Sequence, residues 1–555
     1  MGSKIILIII GTSLWSLTMI RSGWLYGYGI GFWGPNGHDG VWHIALSESL
    51  ARGSLNNPVF SGEPLKNYHI GFDLLLALVN QIIKVPVNTL YFQIIPPIMA
   101  FLIGLLTYKF IFLWRKSKSE AFWSTAFVYF GSGLGFLLTF LRNGEITGES
   151  MFWSQQSLST LVNPPLALSL IFILLGLIFL QKYEQTRKNY HILLSMVFFG
   201  LLIQIKAYAA ILVLGGLFVS GAYSLVINHK FHIMKVFCGS LLINIILFFM
   251  VKNDSVSVFT WYPFWFLETM MIYSDRVGWE RFYSAMTTYK MGNIWLKATL
   301  AYATAFLIFI VGNMGLRVIG FWYFLQKKLK IDSTLIILVT ISGVGLLIPM
   351  FFVQVGTPWN TIQFFYYYLF IFSLFAGIVI SRSGLVIKAL FITFSIFGSW
   401  ATLQHYLPPK PQSMVTKSEL EALSFLKQQS NAVVLTYPYD KYKAIEALKN
   451  PPRPLYTYDS TAYVSAYAHK NVYIEDEVNL NIMGYEWKER RDNVFNFFTS
   501  LDLEFARSFL EDNNIKYLYL VKEMTPLSGE LMKIGPSDLN LTKIYENEIV
   551  VIYSR

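Results

Sequence analysis

Long runs of apolar residues recur through the chain as far as about residue 403. A run of about 20 such residues is long enough to cross a bilayer as a helix. The run at 191–227 is about twice that length and predicts two spans, with Lys206 near the hairpin tip between them. Together with nine further runs, it predicts about eleven membrane-spanning helices. The nine runs are 5–20, 90–114, 121–141, 165–180, 236–251, 298–324, 334–355, 364–380 and 385–402.

Two apolar stretches need separate interpretation. The stretch at 70–83 is 14 residues long and includes Asp73, so it predicts a helix that lies in the membrane interface without crossing. The run at 5–20 follows Lys4 and is not followed by a small-residue cleavage site. It therefore predicts a retained first span and not a signal peptide that is removed.

Basic residues gather in the short connections between the predicted spans, which places these connections in the cytoplasm. All of them fall on one side of the membrane if the N-terminus is cytoplasmic and 70–83 does not cross. The segments 21–88, 142–163, 252–297 and 356–363 are then external, as is the C-terminal part of the chain. The basic connections contain Arg115 to Lys118, Lys182 with Arg187 and Lys188, Lys230 with Lys235, Lys327 to Lys330, and Arg382 with Lys388.

The pattern changes after Pro408 and Pro409. Short apolar runs at 432–437 and 515–521 predict buried strands, and helical spacing of leucines predicts a helix over 418–429. A second helix is expected at 503–511 and a hairpin at 541–553. This alternation predicts a small extracytoplasmic α/β domain over 404–555, beside a membrane domain over 1–403 that carries surface helices in its external loop 21–88.

Composition agrees with a membrane protein. Only 14% of the residues are charged, 54% are hydrophobic and the mean hydropathy is +0.47. The net charge of +11 is not a nucleic-acid signature, because residues 404–555 carry 17 basic and 20 acidic side chains and the rest of the chain carries +14. A basic excess confined to the membrane part is what the positive-inside rule produces. We therefore expect a multi-pass protein of the cell membrane and no nucleic-acid partner.

The first external loop contains the most informative motif, GPNGHDGVWH at 34–43. Asp39 stands where a helix N-cap belongs, and Asp39, His43 and Ser47 would share one face of the following helix. This predicts an amphipathic helix on the membrane surface that aims a carboxylate and an imidazole away from lipid. The alternative is that Asp39 only caps the helix and His43 only bonds a neighbour.

Further candidate residues lie in the other external segments. Lys66 and His69 could meet a phosphate or simply anchor the interface. Lys206 could neutralise a lipid phosphate or snorkel to the surface. Trp261 and Trp279 stand among charged residues, as in a sugar site, although an aromatic belt would also explain them. The charged candidates are Glu145 and Glu149 in the external segment 142–163 and Arg276 and Arg281 in the external segment 252–297.

With these motifs the chain resembles the GT-C class of membrane glycosyltransferases, which use polyprenyl-phosphate sugars, and in particular the group of dolichyl-phosphate-mannose and aminoarabinose transferases. Asp39 in GHDGVWH matches the acidic residue that this class carries after the first span. EPLKNYHIGFDLLLAL at 63–78 matches its polar turn and interfacial helix, although Leu65 and Lys66 stand where many members have two prolines.

The resemblance implies inverting transfer of a sugar from a polyprenyl-phosphate donor to a glycan, lipid or protein acceptor on the outer face. Asp39 would be the general base, and His43 would orient it or bind phosphate. Lys66, His69, Lys206, Arg276 and Arg281 would stabilise the departing phosphate. Glu145 or Glu149 would be a second acid, and a divalent metal is possible. A non-enzymatic scaffold and a lipid-linked glycan transporter or polymerase are the alternatives, but the nearly uncharged spans argue against transport.

Overall fold

The computed structural model describes residues 2–251, 259–326, 329–524 and 532–555. In these residues, seven helices are long and apolar enough to cross a membrane, or up to eight if a bent pair forms one span. The pair is Lys118–Phe130 with Gly135–Asn143, bent by 46°. Seven apolar helices fit a multi-pass membrane protein. The seven are Val87–Arg115, Pro164–Thr186, Ala207–Asn228, Trp295–Tyr323, Ser333–Phe351, Pro358–Ser381 and Leu385–Tyr406.

The predicted count of about eleven spans is not confirmed, since the remaining apolar helices are short. Each predicted run coincides with a helix, but Gly2–Ser16, Asn189–Ile205 and His232–Phe248 have fewer than 18 residues. Lys206 lies at the break between the helices Asn189–Ile205 and Ala207–Asn228, where its backbone is extended. Gly71–Ile83, predicted not to cross, is also a short apolar helix. Of the predicted loop residues, 252–258 and Lys327 with Lys328 lie outside the described part of the chain.

The bend between Lys118–Phe130 and Gly135–Asn143 has a visible cause. The backbone N–H of Gly133 donates to the Gln156 side chain at 2.5 Å, and that of Leu134 donates to the Gly312 carbonyl at 2.7 Å. Polar backbone groups inside a bilayer must find partners within the protein, and these bonds replace the lost helical ones.

Two compact units divide the chain. The first, called here the membrane unit, comprises the described residues of Met1–Thr18, Pro96–Met250 and Ser257–Leu407. The second, called here the loop unit, comprises those of Met19–Ile95, Val251–Val256 and Pro408–Arg555. The predicted external loop and most of the C-terminal segment therefore fold together.

Two sheets organise the loop unit. One has the strand order Leu25–Tyr26, Gly29–Phe32, Ser413–Thr416 and Arg453–Pro454, so strands of the first loop pair directly with the C-terminal segment. The other has the order Val433–Leu435, Ile515–Val521, Val550–Ser554 and Thr542–Glu546. The first pair of this second sheet is parallel and the other two pairs are antiparallel. Its strands lie where the sequence places them.

Helices of the loop unit surround these sheets: Asp39–Ala51, Gly71–Ile83, Lys417–Gln428, Lys441–Ala447, Tyr463–Ala468, Glu477–Ile482, Trp487–Thr499 and Leu503–Asp512. The membrane unit has two further helices, Trp265–Ile272 and Glu280–Met291, and an antiparallel strand pair, Phe259–Trp261 with Phe352–Gln354. That 404–555 forms an autonomous extracytoplasmic domain stays a prediction.

Candidate functional site

The helix Asp39–Ala51, called here the first loop helix, begins differently from the prediction. Its N-cap residue is His38, and Asp39 is its first helical residue. The reason is that Gly34–Gly37 already forms a turn of 3-10 helix, which starts the helical path one residue earlier. Asp39 therefore lies in the first turn, where the helix dipole favours a negative charge. Its side chain is 60% exposed.

The first loop helix is not an amphipathic surface helix, which corrects the sequence prediction. Every residue from Gly40 to Ser49 is buried. Within the loop unit, the helices Gly71–Ile83 and Tyr463–Ala468 pack against it. The periodicity of the helix could not show that it would be covered on all sides.

His43 does not contact Asp39 in the structure. Its Nδ1 atom lies 2.7 Å from Oδ1 of Asp73, and the Asp73 side chain is fully buried. Ser47 Oγ lies 3.4 Å from the same oxygen, and the His43 ring stacks on Tyr91 with centroids 5.6 Å apart. This buried His–Asp pair ties the first loop helix to Gly71–Ile83. Sequence reasoning missed it because 30 residues separate the partners, although an aspartate in an apolar stretch was a signal.

Asp39 has His38 as a close partner. The Nδ1 atom of His38 lies 2.9 Å from Oδ1 of Asp39. Burial lowers the pKa of His38, but the charges of Asp39, Asp476 and Asp459 together with the Asp39 hydrogen bond outweigh it, so the net pKa is raised. The His38 ring also stacks on Tyr458, with centroids 6.3 Å apart and an interplanar angle of 28°. The site thus pairs an exposed carboxylate with a cation-forming imidazole.

The other two candidates of the loop unit are half-buried. Lys66 Nζ lies 4.8 Å from the centre of the Tyr485 ring, a cation–π distance. The His69 ring packs edge-on against Tyr68, with centroids 4.9 Å apart. Burial, followed by the charge of Asp73, raises the pKa of Tyr68.

The two acids of the second external loop have distinct surroundings in the membrane unit. Glu149 is 5% exposed and accepts hydrogen bonds from the Gln156 N–H, the Ser159 hydroxyl and the Thr402 hydroxyl. Glu145 is exposed, and its side chain accepts a hydrogen bond from the Asn143 amide at 3.4 Å. The carboxylate of Glu145 is therefore accessible, whereas that of Glu149 holds a loop to the helix Leu385–Tyr406.

Replacing each of these acids with alanine should show which of them stabilises the fold. We expect Glu149→Ala to lower the unfolding free energy by about 1–3 kcal/mol, because three buried hydrogen-bond donors lose their acceptor. Glu145→Ala, the matched exposed control, should leave stability within about 0.5 kcal/mol. Thermal unfolding of the purified chain in detergent measures both. Equal stability of the two variants would contradict the assignment.

The remaining candidates also lie in the membrane unit. Lys206 is 7% exposed, with Nζ 3.5 Å from Oδ1 of Asn163. Arg276 stacks over Trp153 at 4.5 Å and pairs with Asp275 at 3.1 Å, and its buried Nε has no hydrogen-bond partner in the described part of the chain. Arg281 is exposed.

The two candidate tryptophans are exposed and stacked on neighbours. Trp261 is 60% exposed and lies flat on Phe351, with centroids 5.3 Å apart. Trp279 is 49% exposed and stacks on Phe282 at 4.8 Å. About half or more of each side chain is therefore exposed.

Arg317 was missed at the sequence level, where the spans were taken as nearly uncharged. It is 1% exposed within Trp295–Tyr323 and donates to Ser373 Oγ, Ser157 Oγ and the carbonyls of Asn313 and Gly131. These acceptors are neutral. The signal was a single arginine in an otherwise apolar run, a pattern that marks functional or structural sites in membranes.

A metal was considered possible, but the side chains do not assemble a ligand set. Among the described residues, no three His, Cys, Asp or Glu side chains are grouped closely enough to hold a metal ion. The carboxylate–imidazole pairs Asp39 with His38 and Asp73 with His43 each offer one acid.

No family model matches this sequence, and no curated protein matches it. Solved structures do match, and they define the fold as that of the GT-C membrane glycosyltransferases, with the oligosaccharyltransferases as the matching members. One is the Archaeoglobus fulgidus oligosaccharyltransferase tethered with an acceptor peptide, which is 11% identical over 94% of this chain and 69% of that chain, with a TM-score of 0.51. Another is AglB from the same organism with an inhibitory peptide and a dolichol-phosphate, 12% identical over 95% and 71%, with a TM-score of 0.49.

Proposed function

We propose that this chain transfers a sugar from a polyprenyl-phosphate donor to an acceptor on the outer face of the cell membrane, with Asp39 as general base. The observation that carries the proposal is the Asp39 carboxylate, which is exposed at the start of a helix whose next ten residues are buried. A rigid, buried helix is a good support for a catalytic group, because it fixes the position of that group. The GT-C fold supports the class of reaction.

The proposed reaction is a displacement at the anomeric carbon of the donor sugar. The acceptor oxygen or nitrogen attacks the anomeric carbon of the sugar, and the bond between that carbon and the phosphate oxygen breaks. Asp39 takes the proton of the acceptor, and the polyprenyl phosphate leaves with the electron pair of the broken bond. Attack from the face opposite the phosphate inverts the anomeric configuration. His38 in its protonated form would hold the Asp39 carboxylate by a charge-assisted hydrogen bond and fix its orientation.

Under this proposal His43 has a different task from the one expected for it. Its hydrogen bond goes to Asp73, so it positions the first loop helix and thereby Asp39. Cationic side chains would stabilise the leaving phosphate. Arg276 is the best supported of these, since its buried Nε–H has no acceptor in the described part of the chain. Lys66, His69, Lys206 and Arg281 remain further candidates.

We expect Arg276→Gln to raise KM for the donor by about 10- to 100-fold, because one charge-assisted hydrogen bond to phosphate contributes about 1.5–3 kcal/mol. KM for the acceptor should change little. Steady-state transfer assays at varied donor concentration measure the effect. Arg187→Gln is the control, since Arg187 lies in a predicted cytoplasmic loop and pairs with Glu184. A donor KM unchanged in Arg276→Gln would move the phosphate site to another candidate.

Acceptor recognition is also part of the proposal. The Archaeoglobus fulgidus enzyme was solved with an acceptor peptide, which supports a protein acceptor here alongside a glycan or a lipid. The exposed faces of Trp261 and Trp279 would stack on sugar rings. The orientation with a cytoplasmic N-terminus and an external loop unit also belongs to the proposal.

The test of the class is sugar transfer by the purified chain reconstituted in sealed liposomes. Polyprenyl-phosphate sugars labelled in the sugar would be offered with peptide, glycan and lipid acceptors. We expect labelled acceptor with at least one donor and an inverted anomeric linkage. If the label instead crosses the bilayer on its lipid without being transferred, the chain is a transporter and the glycosyltransferase proposal is wrong.

A further inference from the structure

The loop unit contains a cavity between its C-terminal strands and helices. Its empty volume, with the open solvent at its mouth, is about 520 Å³. Tyr458 lines this cavity and also stacks on the ring of His38, so the cavity borders the His38–Asp39 pair. Two kinds of side chain dominate the wall. The carboxyl groups are those of Asp459, Glu475, Asp476 and Glu477, and the tyrosines are Tyr437, Tyr439, Tyr456, Tyr458 and Tyr463.

Part of this wall already has partners within the protein. Glu475 accepts hydrogen bonds from the N–H groups of Val464 and Ser465, both at 3.1 Å. Asp476 accepts from the backbone and side chain of Asn479. These two acids therefore shape the cavity.

The rest of the wall has unused hydrogen-bonding capacity. Thr461 is 6% exposed, and its hydroxyl has no hydrogen-bond partner among the described residues. The half-buried carboxylate of Asp459 accepts no hydrogen bond from them either. A buried hydroxyl without a partner costs about 1–3 kcal/mol, so a ligand that supplies a hydrogen bond would be favoured.

The charge of the wall decides the kind of ligand. Among the described residues of the wall, four carboxyl groups stand against one cation, Arg491, whose guanidinium lies 3.7 Å from Glu477 and 5.1 Å from the Trp487 ring. An anion is therefore disfavoured. A metal ion is disfavoured as well, because no three ligating side chains in the described ranges converge on one point. Spread carboxyls among tyrosine faces suit a larger cation that both donates hydrogen bonds and stacks on rings.

We propose that this cavity binds an ammonium or guanidinium group, with Asp459 as its counter-ion and Thr461 as a hydrogen-bond partner. That the group belongs to the acceptor, as a basic peptide side chain or an amino sugar, rests on the proposed function. An acceptor anchored there would be held beside the His38–Asp39 pair. Burial raises the pKa of Glu475 to about 8 and that of Asp476 to about 7, so a bound cation would also drive proton release near neutral pH.

Direct binding tests the site without any need for sugar transfer. Nα-acetyl-arginine amide and glucosamine, one probe for each source, would be titrated calorimetrically into the full chain in nanodiscs, with the uncharged Nα-acetyl-citrulline amide as control. We expect at least one cationic probe to bind, the uncharged analogue to bind at least tenfold more weakly, and protons to be released at pH 7. The stronger of the two cationic probes identifies the source. Equal binding of Nα-acetyl-arginine amide and Nα-acetyl-citrulline amide, or no binding of either cation, would overturn the proposal.

Variants locate the probe. Asp459→Asn keeps the shape of the side chain and should weaken cation binding at least tenfold, and Thr461→Val should weaken it severalfold. Asp512→Asn, an exposed acid at the end of a helix of the same unit, should bind as the wild type does. Wild-type affinity in Asp459→Asn would contradict the assignment. If the chain binds the cation but transfers no sugar, only the proposed function is contradicted. If it transfers sugar but does not bind the cation, only the proposed cation site is contradicted.

Discussion

Asp39→Asn is expected to slow sugar transfer by about 10²- to 10⁴-fold, the usual contribution of a general base. The amide has nearly the same shape as the carboxylate but cannot accept the proton. Stability should hardly change, because the side chain is 60% exposed and its interaction with the helix dipole contributes only about 0.3–1 kcal/mol. Transfer rates and thermal unfolding would be measured on the same preparation.

A matched control separates loss of the base from loss of any loop carboxylate. Glu63 belongs to the same loop unit, is 47% exposed and lies 3.6 Å from Arg490. We expect Glu63→Gln to retain wild-type transfer within about twofold, as exposed ion pairs contribute little. If Asp39→Asn retained transfer as well, Asp39 would only stabilise the helix start and Glu145 would become the first base to test.

The second large effect concerns stability. Asp73→Ala should lower the unfolding free energy by about 3–5 kcal/mol, because it leaves His43 buried without its partner. The Nδ1–Oδ1 distance of 2.7 Å and the complete burial of Asp73 make this pair tightly coupled. The change also frees Gly71–Ile83 from the first loop helix, so a partial loss of transfer is expected as Asp39 loses its fixed position.

A double-mutant cycle distinguishes coupling from simple loss of packing. His43→Ala and Asp73→Ala would be measured alone and together by thermal or denaturant unfolding in detergent. We expect the double variant to cost clearly less than the sum of the single ones, by about 0.5–3 kcal/mol. Additive losses would mean that the two side chains stabilise the protein independently and that the short distance contributes little.

Together the two variants distinguish a residue that acts in catalysis from one that stabilises the fold. Asp39→Asn should change the rate while leaving stability intact, and Asp73→Ala should change stability first. The opposite outcome, with Asp39 needed for folding and Asp73 for the rate alone, would make Asp73 the better candidate base. The Oδ2 atom of Asp73 has no hydrogen-bond partner among the described residues, so in that case it is the atom that would accept the proton.

The apolar runs determined where helices form, since every predicted run coincides with one. Strands at Val433–Leu435 and Ile515–Val521 likewise follow from local apolar patterns. Local sequence also marked Asp39, because a turn rich in glycine and proline before an apolar helix exposes its first polar residue. These features depend on neighbouring residues, and their physical causes are periodicity and the length of a bilayer crossing.

Only the tertiary structure determines which elements cover each face of a helix and which charged side chains pair. The sequence predicts an exposed polar face for the first loop helix, because nothing in it shows that Gly71–Ile83 and Tyr463–Ala468 pack against this helix. His43 was assigned to Asp39, four residues away, but bonds Asp73, 30 residues away. Burial makes the desolvation of a charge costly, so a charge in the core takes whichever partner the fold brings to it. The same holds for Arg317, whose partners come from three other segments.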